Sequence, residues 1–255
     1  VVMIENVTEG ADGIELIAPV FPWQNVRRIG EDIVATELLI SRNRCLTAYD
    51  VGALLTAGIF EVMVWERINI AAIPTGDEIL DFRLQPRPEA GQVVESNSQV
   101  LASLARKWGC EVRTVPPVPD DPDKLRMAVA SALESGAHIV VIGAGSSAGT
   151  KDYTRSVMES FGTVLVHGIA AMPGKPSLLG VTHDGRIMVG APGYPVSAVI
   201  CYEELLKPHV MWLGRRVVEP RRTVEVELAR KAPSKLGMEE IELEAIGRVG
   251  EKRVA

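Results

Sequence analysis

The stretch HIVVIGAGSSAGTKDY, residues 138–153, is the part of the sequence that says most about the fold. Its apolar first half is typical of a buried strand. Only Gly, Ala and Ser fill the next seven positions, 143–149. Small residues let a ligand approach the main chain closely, and a helix beginning near Asp152 presents N–H groups that attract phosphate. We therefore expect a strand, an anion-binding loop and a helix in succession.

The same alternation of strand and helix extends from Ile68 to Gly214. Short apolar strands separated by amphipathic helices indicate parallel pairing, because a parallel crossover needs a helix-sized connection. The predicted strands are INIAAIPT, EVRTVPPV, HIVVIGAG and TVLVHGIA; the predicted helices are VVESNSQVLASLARKWG, PDKLRMAVASALESG, DYTRSVMESFG and YPVSAVICYEELLKPHVMWLG. This pattern predicts a doubly wound α/β domain with a mostly parallel sheet. One hairpin is expected around His183-Asp184-Gly185.

Small β units flank this domain. Asp12-Gly13 is a hairpin-type turn signal, and residues 48–57 read as a helix that Thr47 caps and Gly58 ends. We expect three parts: residues 1–66 as a partial β unit with a helical connector, 67–214 as the α/β domain, and 215–255 as the start of a second β unit. The chain begins VVMIENV and ends EKRVA, so we expect both ends to be cut.

Composition excludes several classes of function. A net charge of −6 over 255 residues disfavours general nucleic-acid or membrane-surface binding, which needs a basic face. No apolar run reaches the roughly 18 residues of a membrane span, so a cytoplasmic protein is expected. Cys45, Cys110 and Cys201 are expected to be buried and reduced. The four histidines have no metal-ligand spacing.

Four loops follow predicted strands, at the edge where open α/β sheets bind ligands. They are PTGDE (74–78), the Gly/Ser loop (143–153), PGKP (173–176) and APGYPVS (191–197). A carboxylate of PTGDE is a candidate ligand for hydrated Mg²⁺. Lys151 adds a positive charge to the second loop, and Lys175 projects from the third between two prolines.

The Gly/Ser loop matches neither the dinucleotide-binding nor the Walker spacing. GSSAG, residues 145–149, does match the nucleophile-elbow pattern, which would make Ser147 a hydrolase nucleophile. The sequence nominates no partner histidine for that chemistry.

Taken in order, TGDE, GxSxGxxDY, PGKP and GxPGxPVS resemble the MoeA and gephyrin family of molybdopterin molybdotransferases. RRIGEDI and PSKLG match it as well, so the resemblance covers nearly the whole chain. It implies a molybdopterin-binding α/β domain and a homodimer. It also implies insertion of molybdate into adenylylated molybdopterin with release of AMP, assisted by Mg²⁺. A molybdopterin adenylyltransferase is an implied partner.

The resemblance assigns functional positions residue by residue. The catalytic set is Asp32, Glu78, Asp121 (with Asp120 as the less favoured alternative), Asp152 and Lys175; Glu78 and Asp152 are the metal ligands. The residues that bind the pterin phosphate are Thr75, Gly76, Gly145, Ser146, Ser147, Gly149, Lys151, Pro173, Gly174, Gly193 and Ser197.

The chain departs from the family pattern at several positions. Met172 replaces a lysine, Ala144 replaces a glycine, Tyr194 stands where many members have Asn, and a DGYA stretch is lacking. Two alternatives remain open. One is a molybdopterin adenylyltransferase, although the PGKP and GxPGxPVS loops disfavour it. The other is a non-catalytic module that binds molybdopterin or molybdate, which Met172 favours.

Overall fold

The computed structural model describes residues 1–143, 150–217, 220–231, 234–250 and 252–254, with the backbone alone at 150–152, 252 and 254. The chain divides into two compact units, Val1–Val64 and Trp65–Ala255. They are described separately.

The first unit contains a hairpin and one helix. Strands β1 (Val7–Gly10) and β2 (Gly13–Leu16) pair antiparallel, so the turn residues are Ala11 and Asp12. Helix α1 spans Ala48–Thr56, and the Thr47 side chain accepts the Asp50 N–H while Asp50 accepts the Thr47 N–H. Both predicted elements are confirmed. The expectation that Cys45 is buried is wrong, because it lies in an exposed loop outside any core.

The second unit is built from strands and helices with the following bounds. The strands are β3 (Asn69–Pro74), β4 (Ile79–Leu80), β5 (Val93–Val94), β6 (Glu111–Thr114), β7 (Ile139–Gly143), β8 (Gly162–His167), β9 (Ala171–Met172), β10 (Leu178–Thr182), β11 (Ile187–Ala191), β12 (Glu239–Glu240), β13 (Gly247–Val249) and β14 (Lys252–Val254). The helices are α2 (Asn97–Lys107), α3 (Pro122–Glu134), α4 (Thr150–Phe161), α5 (Pro195–Ile200) and α6 (Lys207–Leu213), with a π-helical turn at Cys201–Leu206.

The central sheet has the order β6-β3-β7-β11-β10-β8. Its first four strands are parallel, as the alternation predicts, and the hairpin of β10 and β11 is confirmed. Strand β8 was expected to be parallel, and this is wrong. It pairs antiparallel with β10. The reason is that no helix separates β8 from β10, and a parallel connection needs a helix-sized crossover.

Helices cover both faces of the sheet, as predicted. Alternate residues of β3 face opposite sides: Ile70 and Ala72 pack with α2, α5, α6 and the π-helical turn, whereas Ala71 and Ile73 pack with α3 and α4. Burial on both sides explains why these strands read as continuous apolar runs.

The C-terminal residues form short strands, as expected. Strand β12 pairs parallel with β9, and β13 pairs antiparallel with β14. Within the described parts of the chain, no helix is long and apolar enough to cross a membrane.

Candidate functional site

Three of the four candidate loops leave the sheet side by side. Pro74, the last residue of β3, is the register partner of Gly143, the last residue of β7, and Gly143 is also the partner of Ala191 at the end of β11. The loops that follow these strands therefore start next to one another. This is the edge at which an open α/β sheet forms its ligand crevice.

A cavity of about 240 Å³ opens at this edge, and we refer to it as the strand-end cavity. Three of the predicted site residues line it, namely Thr75, Glu78 and Gly193. The other residues used below that line it are Ala72, Gly143, Glu95, Asn97, Ser98, Leu101, Val141, Tyr194 and Tyr202. The first and fourth loops thus contribute to one cavity, together with the first residue of the second.

Gly76 shapes the first loop. Its φ of +140° belongs to the region that favours glycine, and its N–H donates to the Val118 carbonyl at 3.1 Å. A Cβ at this position would lie 2.8 Å from Glu78 Oε2 and 2.8 Å from Ile79 Cγ1. Glycine therefore lets the Glu78 carboxylate fold back against the main chain beside the cavity.

An acidic cluster borders the first loop and contains Asp77, Glu78 and Asp120. The Asp120 N–H donates to Asp77 Oδ1 at 3.1 Å, and Asp120 Oδ1 is buried without a hydrogen-bond partner in the described structure. Burial raises the pKa of Asp120, and the nearby Asp77 and Glu78 carboxylates raise it further. This edge therefore concentrates negative charge that a cation would offset.

Asp121, which the resemblance favours over Asp120, has a structural role in this chain. Its Oδ1 accepts the backbone N–H groups of Asp123 and Lys124, which caps α3. The geometry therefore places Asp120, rather than Asp121, with Glu78. Both aspartates, together with Thr75, line a small void of about 10 Å³ beside the start of α4.

The donor set suits hydrated Mg²⁺ better than a metal enclosed by protein ligands. The described residues contain no group of three His, Cys, Asp or Glu side chains that could hold a metal ion. Mg²⁺ commonly keeps several waters and binds one or two carboxylates plus substrate phosphates. The buried, unbonded Asp120 Oδ1 beside Glu78 fits that mode of binding.

The PGKP loop packs against α5. Gly174 has φ +113°, and a Cβ there would lie 3.1 Å from Ile200 Cγ2 and 3.8 Å from the Ser197 carbonyl. Lys175 is exposed, and its carbonyl accepts the Ile169 N–H at 2.9 Å, so the loop backbone is fixed while the ammonium is free to reach outward. Of the described residues, those that line the strand-end cavity do not include Pro173, Gly174, Lys175 or Ser197.

Several predicted residues are not brought together by the described structure. Asp32 is an exposed residue of the first unit. Gly145, Ser146, Ser147 and Gly149 lie outside the described residues. Lys151 and Asp152 belong to the first turn of α4, but their side chains lie outside the described part.

Sequence reasoning missed Glu95 and Asn97. The Asn97 side chain donates to the Gly193 carbonyl at 2.7 Å, which ties the start of α2 to the APGYPVS loop. Glu95 is buried beside the cavity, and its two oxygens accept from Ser98 N at 2.7 Å and Ser98 Oγ at 2.5 Å. The polar sequence ESNS, directly after two valines and before a helix, was the available signal.

Comparisons with known proteins agree on one family. Residues 71–212 match the family described as probable molybdopterin binding domain, and residues 1–58 match the MoeA N-terminal region (domain I and II). The molybdopterin molybdenumtransferase of Synechococcus elongatus is 30% identical over 91% of this chain and 58% of its own length. That of Haemophilus influenzae is 32% identical over 82% of this chain and 51% of its own length.

A solved structure is also similar. A crystal structure of the molybdopterin biosynthesis MoeA protein from Pyrococcus horikoshii aligns with a TM-score of 0.67 at 30% identity, covering 85% of this chain and 53% of that one. The chain thus spans a little over half the length of the curated relatives it matches.

Proposed function

Because this chain belongs to the family of the probable molybdopterin binding domain and begins with a MoeA N-terminal region, we propose that it acts in molybdenum cofactor biosynthesis. Its substrate would be adenylylated molybdopterin. The phosphoanhydride would be cleaved with release of AMP, and molybdate would be inserted into the dithiolene. The observation that carries this proposal is the convergence of the first, second and fourth loops on adjacent strand ends beside one cavity.

The chain's own groups have distinct tasks in this proposal. Main chain at Gly76 and Gly193, with the Gly/Ser loop, would lie against the phosphates, since glycine allows close approach. N–H groups at the start of α4 would donate to phosphate oxygens. Lys175, exposed on a fixed loop, would offset charge that develops as the anhydride breaks.

Mg²⁺ would be held by Glu78 and Asp152, and when bound it would neutralise charge on the phosphate oxygens. Asp120 joins Glu78 in this proposal, since one of its oxygens is buried and has no hydrogen-bond partner in the described structure. Asp121 then acts through the cap of α3 instead of touching the substrate.

Assembly and location are part of the same proposal. The resemblance supports a cytoplasmic homodimer in which one chain's N-terminal unit completes the partner's site, with Asp32 contributed in this way. A molybdopterin adenylyltransferase would supply the adenylylated substrate. Sedimentation of the full-length protein, with and without that enzyme, tests both associations.

AMP release tests the proposed reaction. The full-length protein is incubated with adenylylated molybdopterin, molybdate and Mg²⁺, while AMP and pterin-bound molybdenum are measured. We expect stoichiometric release that depends on molybdate. Lys175→Met should slow release about 100-fold, as expected for loss of one charge-stabilising group, whereas Lys107→Met, at an exposed lysine of α2, should have no effect.

The other outcomes identify the alternatives. Binding of the substrate without AMP release would indicate a non-catalytic module. Transfer of AMP from ATP to molybdopterin would indicate an adenylyltransferase. Equal rates for Lys175→Met and wild-type protein would remove the role assigned to Lys175.

A further inference from the structure

The strand-end cavity has a buried end that the proposed phosphate contacts do not use. Its buried lining residues include Ala72, Leu101 and Val141, which are apolar, and Glu95, Ser98 and Tyr202, which are polar. All six are more than nine-tenths buried. Tyr194, one of its exposed lining residues, belongs to the APGYPVS loop. The cavity therefore has a loop-lined rim and an inner wall that combines apolar surface with a few polar groups.

The size of the cavity limits what can enter. Pockets that hold whole drug-sized ligands measure about 300–1,000 Å³, and this one measures about 240 Å³. It is too small for a whole adenylylated pterin but large enough for one ring system. The remainder of such a substrate would then lie along the rim loops.

Charge determines which end of a ligand enters. Glu95 is 6% exposed, and none of the ion pairs among the described residues involves it. A buried carboxylate without a cation opposes a second anion. An anionic group such as phosphate is therefore disfavoured at the inner wall, and an N–H donor is favoured there.

Glu95 also has capacity to bind a donor. Each of its oxygens accepts one hydrogen bond from Ser98. A carboxylate oxygen has two lone pairs, so one acceptor position remains on each. Apolar neighbours would contact the faces of a ring, while Glu95 meets its polar edge.

Tyr202 adds an independent indication that this wall is specialised. It lies in the π-helical turn Cys201–Leu206 that interrupts the α5–α6 helix, and it is 2% exposed. Such turns occur often at functional sites. Burial raises the pKa of the Tyr202 hydroxyl, with smaller contributions from Cys201 and Glu95. Tyr202 and Glu95 are thus close enough to interact.

We propose that the buried end of the strand-end cavity binds an amino-substituted heteroaromatic ring, with Glu95 accepting the N–H groups of its edge. The chemistry is shared by the pterin ring and the adenine ring of the substrate. The inference rests on the proposed function for the identity of these two rings. It adds a specificity residue, Glu95, to the site and orients the substrate with its phosphates at the rim.

The test separates ring binding from phosphate binding. Dissociation constants are measured by calorimetry on the full-length protein with three probes: adenosine, 2-amino-4-oxopteridine and pyrophosphate. Glu95→Gln keeps an oxygen for the Ser98 N–H and an amide that can donate to Ser98 Oγ, so the start of α2 remains capped. We expect it to weaken ring binding at least about tenfold, the cost of losing a charged acceptor, while pyrophosphate binding is unchanged.

Glu134→Gln is the matched control, because Glu134 is an exposed glutamate of α3 and is not among the residues that line the strand-end cavity. It should leave ring binding and pyrophosphate binding unchanged. If Glu95 only caps α2, Glu95→Gln will bind both rings as tightly as the wild-type protein does, and the proposal is overturned. The same follows if neither ring binds the wild-type protein. The probe that responds to Glu95 identifies the occupant as pterin or adenine.

Hydrogen exchange on the wild-type protein gives a second measurement that needs no variant. Ring binding should slow exchange in peptides covering residues 93–101 and 199–206, but not in α3. Exchange that is unchanged in both peptides contradicts the proposal. If the protein releases AMP but ring binding does not depend on Glu95, only this inference is overturned. Ring binding without AMP release would count against the proposed function alone.

Discussion

Thr75 holds the Gly143 carbonyl with two hydrogen bonds. Its backbone N–H donates at 2.9 Å and its hydroxyl at 2.6 Å. The second residue of the PTGDE loop is thereby fixed to the last residue of β7, where the Gly/Ser loop starts. Two of the candidate loops are linked by one side chain.

Thr75→Val removes the hydroxyl bond at nearly constant volume. Because the backbone N–H still satisfies Gly143, we expect the free energy of unfolding to fall by only about 1 kcal/mol. Thr75→Ser keeps the donor and should cost less. Urea unfolding of both variants checks this. If Thr75→Val loses no more free energy of unfolding than Thr75→Ser does, the hydroxyl bond contributes nothing to stability.

Gly162 has no room for a side chain at the junction of α4 and β8. A Cβ there would lie 1.9 Å from the Val181 carbonyl oxygen and 2.6 Å from Thr182 Cα, both backbone atoms of the neighbouring strand. Gly162→Ala should therefore cost at least about 2 kcal/mol, since the strands must separate. Gly247→Ala in β13, with no atom within 4 Å of the new Cβ, is the control and should leave the melting temperature nearly unchanged.

Asp184 makes the β10–β11 hairpin sensitive to pH. Its hydrogen bond with Arg186, then that from the Thr182 hydroxyl, lowers the pKa of Asp184 to about 2. A lowered carboxyl pKa stabilises the fold above the unfolded-state value, near 4, and that contribution disappears as the pH falls to about 2. Asp184→Asn should therefore be less stable than wild type at pH 6 and equal to it near pH 2. A difference that stays constant from pH 6 to pH 2 would contradict this.

The interaction of Asp77 with Asp120 should give a pH dependence of stability opposite in sign to that of Asp184. The pKa of Asp120 is raised by burial first and by Asp77 second, so its ionisation above that pKa destabilises the fold. Asp77→Asn keeps an oxygen for the Asp120 N–H but removes the charge. We expect a lower Asp120 pKa by carbon NMR and greater stability at pH 7, with no gain at pH 3. An Asp120 titration unaffected by the variant would rule out this coupling.

Periodicity identified most elements of the fold but not every strand direction. Residues 70–73 are apolar without a break because both faces of β3 are buried, and this pattern correctly predicts a central parallel strand. TVLVHGIA has a similar composition, yet β8 is an antiparallel edge strand. Direction depends on the connection to β10, and local hydrophobicity contains no information about that connection.

The resemblance ranks Asp121 above Asp120 in PDDPD, and local patterns do not distinguish the two aspartates. Asp120 and Asp121 are adjacent and chemically identical in sequence. In the structure, Asp121 turns to the N–H groups of α3, while one oxygen of Asp120 is buried near Glu78 and has no partner in the described structure. Likewise, the sequence around Glu95 indicates only the start of a helix. The structure places residues of α2 and of the π-helical turn around the same cavity as Glu95.

The amino-acid sequence was enough to predict the fold class, the order of the loops and the family, because strand and helix periods and short motifs are properties of neighbouring residues. The grouping of the carboxylates, in contrast, depends on the folded chain. Asp77 and Glu78 follow β3 and Asp120 precedes α3, so their proximity and the burial of Asp120 depend on how the strands align in space rather than on any local pattern. Thr75 and Gly143, 68 positions apart, are in contact for the same reason.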